Sequence, residues 1–231
     1  MMRISCGVVL LVVTFSIPGA AQETVFFDGF ESGDTAGWWA PARVGETGQK
    51  TCYDEQGAIL GDCTGTNQDG DLQTGVDWPN PRFVDNIDGT VTDMLTGLTW
   101  LKDTSCQELA GTDTSGRAGW VTALMAPVLL VNGVCGLSDG SATGSWRLPS
   151  INELQSLFDY EYAQPALSDT SGTAKWSDGN PFSGVTMSRY WSSTSVANNP
   201  SLAWYAGVVD GYISGEDKTN LYYVWPVRGG Q

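Results

Sequence analysis

From Phe83 onward the chain alternates short branched or aromatic runs with turn dipeptides. Phe83-Val84 and Thr90-Val91-Thr92 flank Asp88-Gly89, a strong hairpin dipeptide, and Thr96-Gly97 precedes a third run, Leu98 to Leu101. This pattern predicts a three-stranded meander. Residues 117–132, "RAGWVTALMAPVLLVN", change period: Trp120, Leu124 and Val128 recur at helical spacing. Pro127 has no amide hydrogen, so the helix is expected to break near Ala126 after about two turns. In "SWRLPSINELQSLFDY", Ser150 and Glu153 have the spacing of a capping box, and Ile151, Leu154, Leu157 and Phe158 form an apolar stripe. Residues 159–187 read as a long polar loop. Beyond Tyr190 the alternation returns: Leu202, Trp204, Ala206 and Val208 face one way and Ala203, Tyr205, Gly207 and Val209 the other. Asp210-Gly211 and Gly215 to Lys218 read as turns, and Tyr222 to Val227 as one final strand. Upstream, "CYDEQGAILGDC" reads as a small hairpin around Glu55-Gln56-Gly57. No repeat of 20 to 50 residues is visible, which excludes a solenoid.

Composition narrows this to a class. Hydrophobic residues make up 41% of 231, enough for a core, while 10 Trp and 29 Gly suit a loop-rich β or α+β protein better than a helical one. The N-terminus has a positive residue, Arg3, an apolar run from Gly7 to Ile17 and small residues at Gly19-Ala20-Ala21. That is the layout of a signal peptide, with cleavage expected after Ala21, and its apolar run is short for a membrane span. Removing Arg3 leaves 10 Lys+Arg against 26 Asp+Glu, a net charge of −16. Such a chain repels nucleic acid and anionic membranes, so neither is expected as a partner. The expected organisation is a signal peptide over 1–21, a leader over 22–47 with Phe27, Phe30 and Trp38 packing on the main domain, a disulfide hairpin extension over 48–80, and the main domain over 81–231.

Cysteine and histidine counts bear on chemistry. Beyond the signal, Cys52, Cys63, Cys106 and Cys135 make an even set in an exported chain. Of three possible pairings, Cys52–Cys63 and Cys106–Cys135 close the shorter loops and are favoured, each stabilising by roughly 3 to 4 kcal/mol. Without His or a Cys-x-x-Cys motif a zinc site is not expected. Asn67, Asp69 and Asp71 alternate as calcium ligands might, but Gly70 falls fourth and Trp78 twelfth where an EF-hand loop wants Gly sixth and Glu twelfth, so an Asp/Gly turn is favoured. The lack of His also removes the common triads and dyads, and no phosphate loop or dinucleotide fingerprint occurs. Asp210 and Glu216 remain as a carboxylate pair, but both sit in predicted turns where a solvated acid is the default. The chain is expected to be no enzyme and to need no cofactor or metal.

Taken in order, "DNIDGTVTDMLTGLTWLKD", "CGLSDGSATGSWRLPSINELQSLFDY", "YWSSTS", "AWYAG" and "YYVWPVRGGQ" resemble the Lcl C-terminal domain family, over roughly residues 80–231 with a cysteine hairpin upstream. The resemblance implies an α+β, C-type lectin-like fold related to formylglycine-generating-enzyme-like domains. It would have two helices, a small twisted antiparallel sheet, long loops on one side and chain ends close together. The family takes its name from an adhesin associated with sulfated glycans. A ligand of that kind needs a basic surface, which a net charge of −16 disfavours. This chain also departs from the family in carrying Pro127 where a regular Ala-rich helix is usual.

The expected function is recognition of a glycan or protein ligand by a protein secreted or displayed at the cell surface, or held in the periplasm. The segment from Tyr190 to Trp225 mixes Tyr and Trp with Asn, Ser and Gly, as paratopes do. The candidate ligand-binding residues are Asn198, Asn199, Ser201, Tyr205, Tyr212, Ser214, Asp217, Asn220 and Tyr222. Tyr190, Trp191, Trp204 and Trp225 are assigned mostly to the core. On this reading Tyr205→Ala and Tyr212→Ala both weaken binding and leave the melting temperature nearly unchanged. The alternatives are a target of a diversity-generating retroelement, with this segment as its variable face, and a structural envelope protein without a discrete ligand.

Overall fold

The computed structural model describes residues 44–229. The signal peptide over 1–21 and the leader residues Phe27, Phe30 and Trp38 lie outside the described residues. Among the described residues there are three short helices, α1 (Asp69–Leu72), α2 (Trp120–Met125) and α3 (Ile151–Gln155). The strands are β1 (Phe83–Asp85), β2 (Thr90–Asp93), β3 (Thr99–Leu101), β4 (Arg117–Ala118), β5 (Arg189–Ser195), β6 (Leu202–Gly207), β7 (Tyr212–Asp217), β8 (Tyr222–Tyr223) and β9 (Val227–Arg228). Among the described residues no helix is long and apolar enough to cross a membrane.

The expected single antiparallel sheet is two sheets. The meander β1-β2-β3 forms as predicted and gains β9 against β3, with Trp100 opposite Val227. The second sheet runs β4-β8-β5-β6-β7 and is mixed, because β5 and β8 pair in parallel at Tyr190 and Tyr223. The predicted final strand Tyr222–Val227 is therefore two strands in two sheets. Pro226 lies between them, and its carbonyl accepts from the Leu101 amide. The predicted turn Gly215–Lys218 is likewise corrected: Gly215 and Glu216 continue β7 opposite Trp204 and Ala203, and the chain turns at Lys218–Asn220. A Cβ at Gly215 would come within 2.9 Å of Val196 Cγ2, so the glycine lets the strand pass a side chain.

Each face of the five-stranded sheet covers a separate core. On one side Tyr190 and Ala206 pack with Leu154, Leu157 and Phe158 and with Phe83, Trp100, Phe182 and Trp225. Phe182 and Trp225 meet edge to face at 5.0 Å, and Trp225 Nε1 donates to the Leu101 carbonyl at 3.0 Å. On the other side Trp191, Tyr205 and Tyr222 pack with Ala118, Ala123, Ala126, Leu130 and Trp146. Helix α2 ends at Ala126 and a 3-10 turn follows over Pro127–Leu129, the break expected from Pro127. Its most buried residues are Ala123, Ala126, Pro127 and Leu130 rather than the predicted stripe Trp120, Leu124 and Val128, which is half-buried. Small residues let the short helix sit close to the sheet. Of the four predicted core aromatics, Tyr190, Trp191 and Trp225 are buried and Trp204 is half-buried.

Ser150 and Glu153 form the expected capping box at the start of α3. Glu153 has a second task, because Arg147 donates to both its carboxylate oxygens at 2.8 and 2.6 Å. Burial pushes the Glu153 carboxyl up, but the bonds from Arg147 and the Ser150 amide outweigh it and hold the group below its ordinary value. Arg147 also donates to the Gly229 carbonyl, and its backbone pairs with Val227. The "WRLP" stretch thus ties the helix entry to the strand that completes the first sheet.

The cysteines pair as expected, Cys52–Cys63 and Cys106–Cys135. Both bonds point to an oxidising environment. The first staples the predicted hairpin, bridged between Tyr53 and Ile59. This extension docks on residues 159–161: the Tyr160 amide donates to the Thr47 carbonyl, and Glu161 accepts from the Lys50 and Thr51 amides at 2.7 and 3.0 Å. Asp159 is buried at the same joint, and a Cβ at Gly48 would fall 2.4 Å from its Oδ1. Desolvation pushes this carboxyl up to about 6, against the Glu161 amide and the nearby Arg82 and Lys50 charges, which pull it down.

A group raised in the folded state binds its proton more tightly there than in the unfolded chain. Its stabilisation is present at low pH and is lost as pH rises from the ordinary carboxylate range through about 6. Asp159→Asn keeps an oxygen for the Glu161 amide and removes the charge. It is expected to raise stability at pH 7 by at most about 3 kcal/mol and to flatten the pH dependence between about pH 4 and 6. Urea titrations of both proteins across that range check this. A variant no more stable than the parent at pH 7 would mean that the carboxylate is already well solvated.

Candidate functional site

Strands β5 to β8 bring most of the predicted ligand-binding residues to one part of the molecule, in two groups. Asn198, Asn199 and Ser201 are exposed in the loop between β5 and β6, while Asp217 and Asn220 are exposed at the end of β7 and in the turn after it. The two loops are tied together: the Lys218 amide donates to the Ser201 carbonyl, and its Nζ donates to Ser195 Oγ and the Pro200 carbonyl at 2.9 and 2.8 Å. Lys218 also stands 4.0 Å over the Trp120 ring. Sequence reasoning missed Lys218 as a member of this group, although it is the one lysine in the segment.

Tyr205, Tyr212, Ser214 and Tyr222 make the second group. Register places Tyr205 and Gly207 beside Ser214 and Tyr212 on one face of the sheet, with Arg189 opposite Gly207. Only Tyr212 is exposed here, at 37%, and Ser214 is half-buried. Tyr205 and Tyr222 are 4% and 8% exposed and belong to the core beneath α2, which corrects their assignment to the open surface. Alternation groups them properly on one face of the sheet. That this face is covered by a helix from elsewhere in the chain is a non-local fact.

Arg189, which the sequence reading did not select, organises this group. Its Nε donates to Tyr212 Oη at 2.9 Å and its Nη1 to Tyr222 Oη at 2.8 Å. The guanidinium carbon lies 5.2 Å from the Tyr205 ring centroid and 5.4 Å from that of Tyr222, within reach of a cation–π attraction. The two phenol oxygens push the guanidinium pKa further up, so it stays a fixed cation. Burial pushes Tyr205 up to about 12 and raises Tyr222 as well, so both phenols stay neutral at any ordinary pH, and Tyr222 Oη accepts from the Arg189 cation. The signal that could have marked Arg189 is its place at the head of "RYWSSTS", in phase with Trp191, in a segment with almost no other cation.

Tyr212 owes its position to a glycine. A Cβ at Gly207 would lie 2.1 Å from the Tyr212 ring, so the ring lies across the strand where a side chain is missing. The result is an aromatic face, a clamped cation and, further along β7 on the same face, the Ser214 hydroxyl and the Glu216 carboxylate. Glu216 is close enough to help raise the Tyr222 pKa. Such a surface can stack a ring and donate and accept hydrogen bonds around it. The model of the Lcl C-terminal domain matches residues 89–228.

The chain belongs to the Lcl C-terminal domain family.

No curated protein matches the chain. The match over residues 89–228 takes in β2 to β9, and so the whole Arg189 group of this Lcl C-terminal domain. Two other groupings among the described residues are taken up by bonds within the chain. Cys106, Glu108 and Cys135 come close together, but both sulfurs are in a disulfide and Glu108 Oε2 accepts from the Cys135 amide, so the set cannot serve as metal ligands. The Asn67, Asp69 and Asp71 alternation is spent locally: Asp71 accepts from the Asn67 amide and Asp69 from the Thr47 hydroxyl. A cleft of about 700 Å³ lined by Trp78, Leu95, Phe158 and Tyr160 and a shallower one of about 320 Å³ beside Lys102 share no residue with the Arg189 group.

Proposed function

We propose that this Lcl C-terminal domain is an exported, non-catalytic binding module of lectin-like or adhesin-like character. Its two sheets and short helices are read as a C-type lectin-like fold that recognises a glycan or a protein through the surface spanned by β5 to β8. The observation that carries the reading is the Arg189 clamp between Tyr212 and Tyr222, beside the exposed polar loops of Asn198, Asn199, Ser201 and Asn220. A fixed cation framed by aromatic rings, next to adaptable amides and hydroxyls, suits recognition. Export through a signal peptide over 1–21 to the cell surface, the medium or the periplasm fits the two disulfides.

The loop residues bear on a second reading. Asn198, Asn199, Ser201 and Asn220 are exposed and support no core, so a face diversified by a retroelement would tolerate change there. Sequencing the flanking DNA for a template repeat and a reverse transcriptase tests that alternative.

A glycan-array screen of residues 22–231, with and without a calcium chelator, tests the binding reading. Expected is binding that survives chelation and weakens in Tyr212→Ala. Loss on chelation would move recognition to Asn67, Asp69 and Asp71. Silence across the array would favour a protein partner or a structural role in the envelope.

A further inference from the structure

Five arginines lie among the described residues, and four face a carboxylate: Arg82 with Asp93, Arg117 with Asp113, Arg147 with Glu153 and Arg228 with Asp139. Arg189 is the exception. In a chain with 26 acidic residues it is held by two neutral phenols instead. The phenols fix its plane through Nε and Nη1, and among the described residues Nη2 has no acceptor. A guanidinium oriented in this way, with Nη2 unused and no carboxylate bonded to it, is ready to donate to a carboxylate oxygen.

The surroundings narrow the ligand. The Tyr212 ring lies flat over Gly207 and keeps 37% of its surface exposed, a face of the kind on which a sugar ring stacks. Ser214 and Glu216 continue along the same face of β7 as hydroxyl partners. The net charge of −15 and the acids at Asp210, Glu216 and Asp217 oppose a densely charged polyanion, whose repulsion would grow with every added group. A single carboxylate per recognised unit keeps the attraction to Arg189 and avoids that accumulation. Resting on the binding-module reading above, we infer that Arg189 seats the carboxylate of an acidic sugar, with Tyr212 as its stacking face.

The test uses a pair of oligosaccharides alike except at the terminal residue, one ending in glucuronic acid and one in glucose, with a glutamate dipeptide as a protein-like carboxylate. Titration calorimetry of residues 22–231 is expected to show the uronate probe binding at least about tenfold tighter than the neutral one. The advantage is expected to shrink in high salt, to vanish in Arg189→Gln and to survive only in part in Arg189→Lys, which keeps the charge without the fork. Equal binding of the two sugars overturns the inference, and so does a dipeptide that binds as well as the uronate probe. No binding of either sugar overturns it too. In that case array binding of uncharged glycans would leave the binding reading standing, whereas an empty array would remove both. If Arg189→Gln fails to fold, the comparison of probes on the parent protein decides alone.

Discussion

Asp93→Ala is expected to destabilise the protein by about 3 to 5 kcal/mol, a large part of the stability of an ordinary domain. Asp93 and Arg82 are both fully buried, and Arg82 Nε donates to Asp93 Oδ1 at 3.0 Å. Taking two charges out of water is expensive, and it is offset here by geometry. Asp93 accepts from two guanidinium nitrogens, the Leu95 amide and the Thr96 hydroxyl, while Arg82 reaches the Ser156 carbonyl and lies 4.0 Å over the Trp78 ring. Removing the carboxylate leaves a buried cation whose Nη1 already has no partner. The double replacement Arg82→Met with Asp93→Leu is expected to lose much less, because apolar residues of similar size need no compensation. Urea denaturation of the three proteins measures the difference. An Asp93→Ala loss within about 1 kcal/mol would show that water reaches the pair.

Tyr205→Ala is expected to cost about 3 to 4 kcal/mol and to lower the melting temperature by roughly 10 °C. The ring is 4% exposed and meets Trp191, Tyr212 and Tyr222 edge to face at 6.4, 5.7 and 5.1 Å. Its loss opens a cavity beneath α2 and removes one of the two rings that flank Arg189. Tyr212→Ala is expected to do the opposite: little change in melting temperature and weaker ligand binding, since that ring is partly exposed and rests on a glycine. From sequence both substitutions read as surface changes, and burial separates them. Melting curves beside binding isotherms for the two variants test the division. Equal melting temperatures would return Tyr205 to the surface.

What could be read in the sequence was what short-range chemistry dictates. Asp88-Gly89 and Thr96-Gly97 set the meander, Ser150 and Glu153 set the helix entry, and Pro127 set a helix end, each through contacts a few residues apart. The disulfides were legible because the favoured pairing closes the shorter loops. The errors lie where distant pairing decides. Gly215 has the local look of a turn, yet β6 holds it in a strand. Tyr222 to Val227 looks like one strand, yet each end answers to a different sheet. The candidate site divides along the same line. Asn198, Asn199, Ser201 and Asn220 were picked out as candidate ligand contacts and are exposed, whereas the clamp at Arg189 exists only once four strands align two tyrosines around it.

The pairing of β9 with β3 has a consequence for how the chain reaches its folded state. Trp225 bonds to Leu101 across 124 positions, and the first sheet has an open edge until that late strand arrives. Contacts of such long range make folding slow and cooperative. A growing chain of this design cannot close its first sheet until the residues around Val227 have been made, so the meander it forms early waits for its fourth strand.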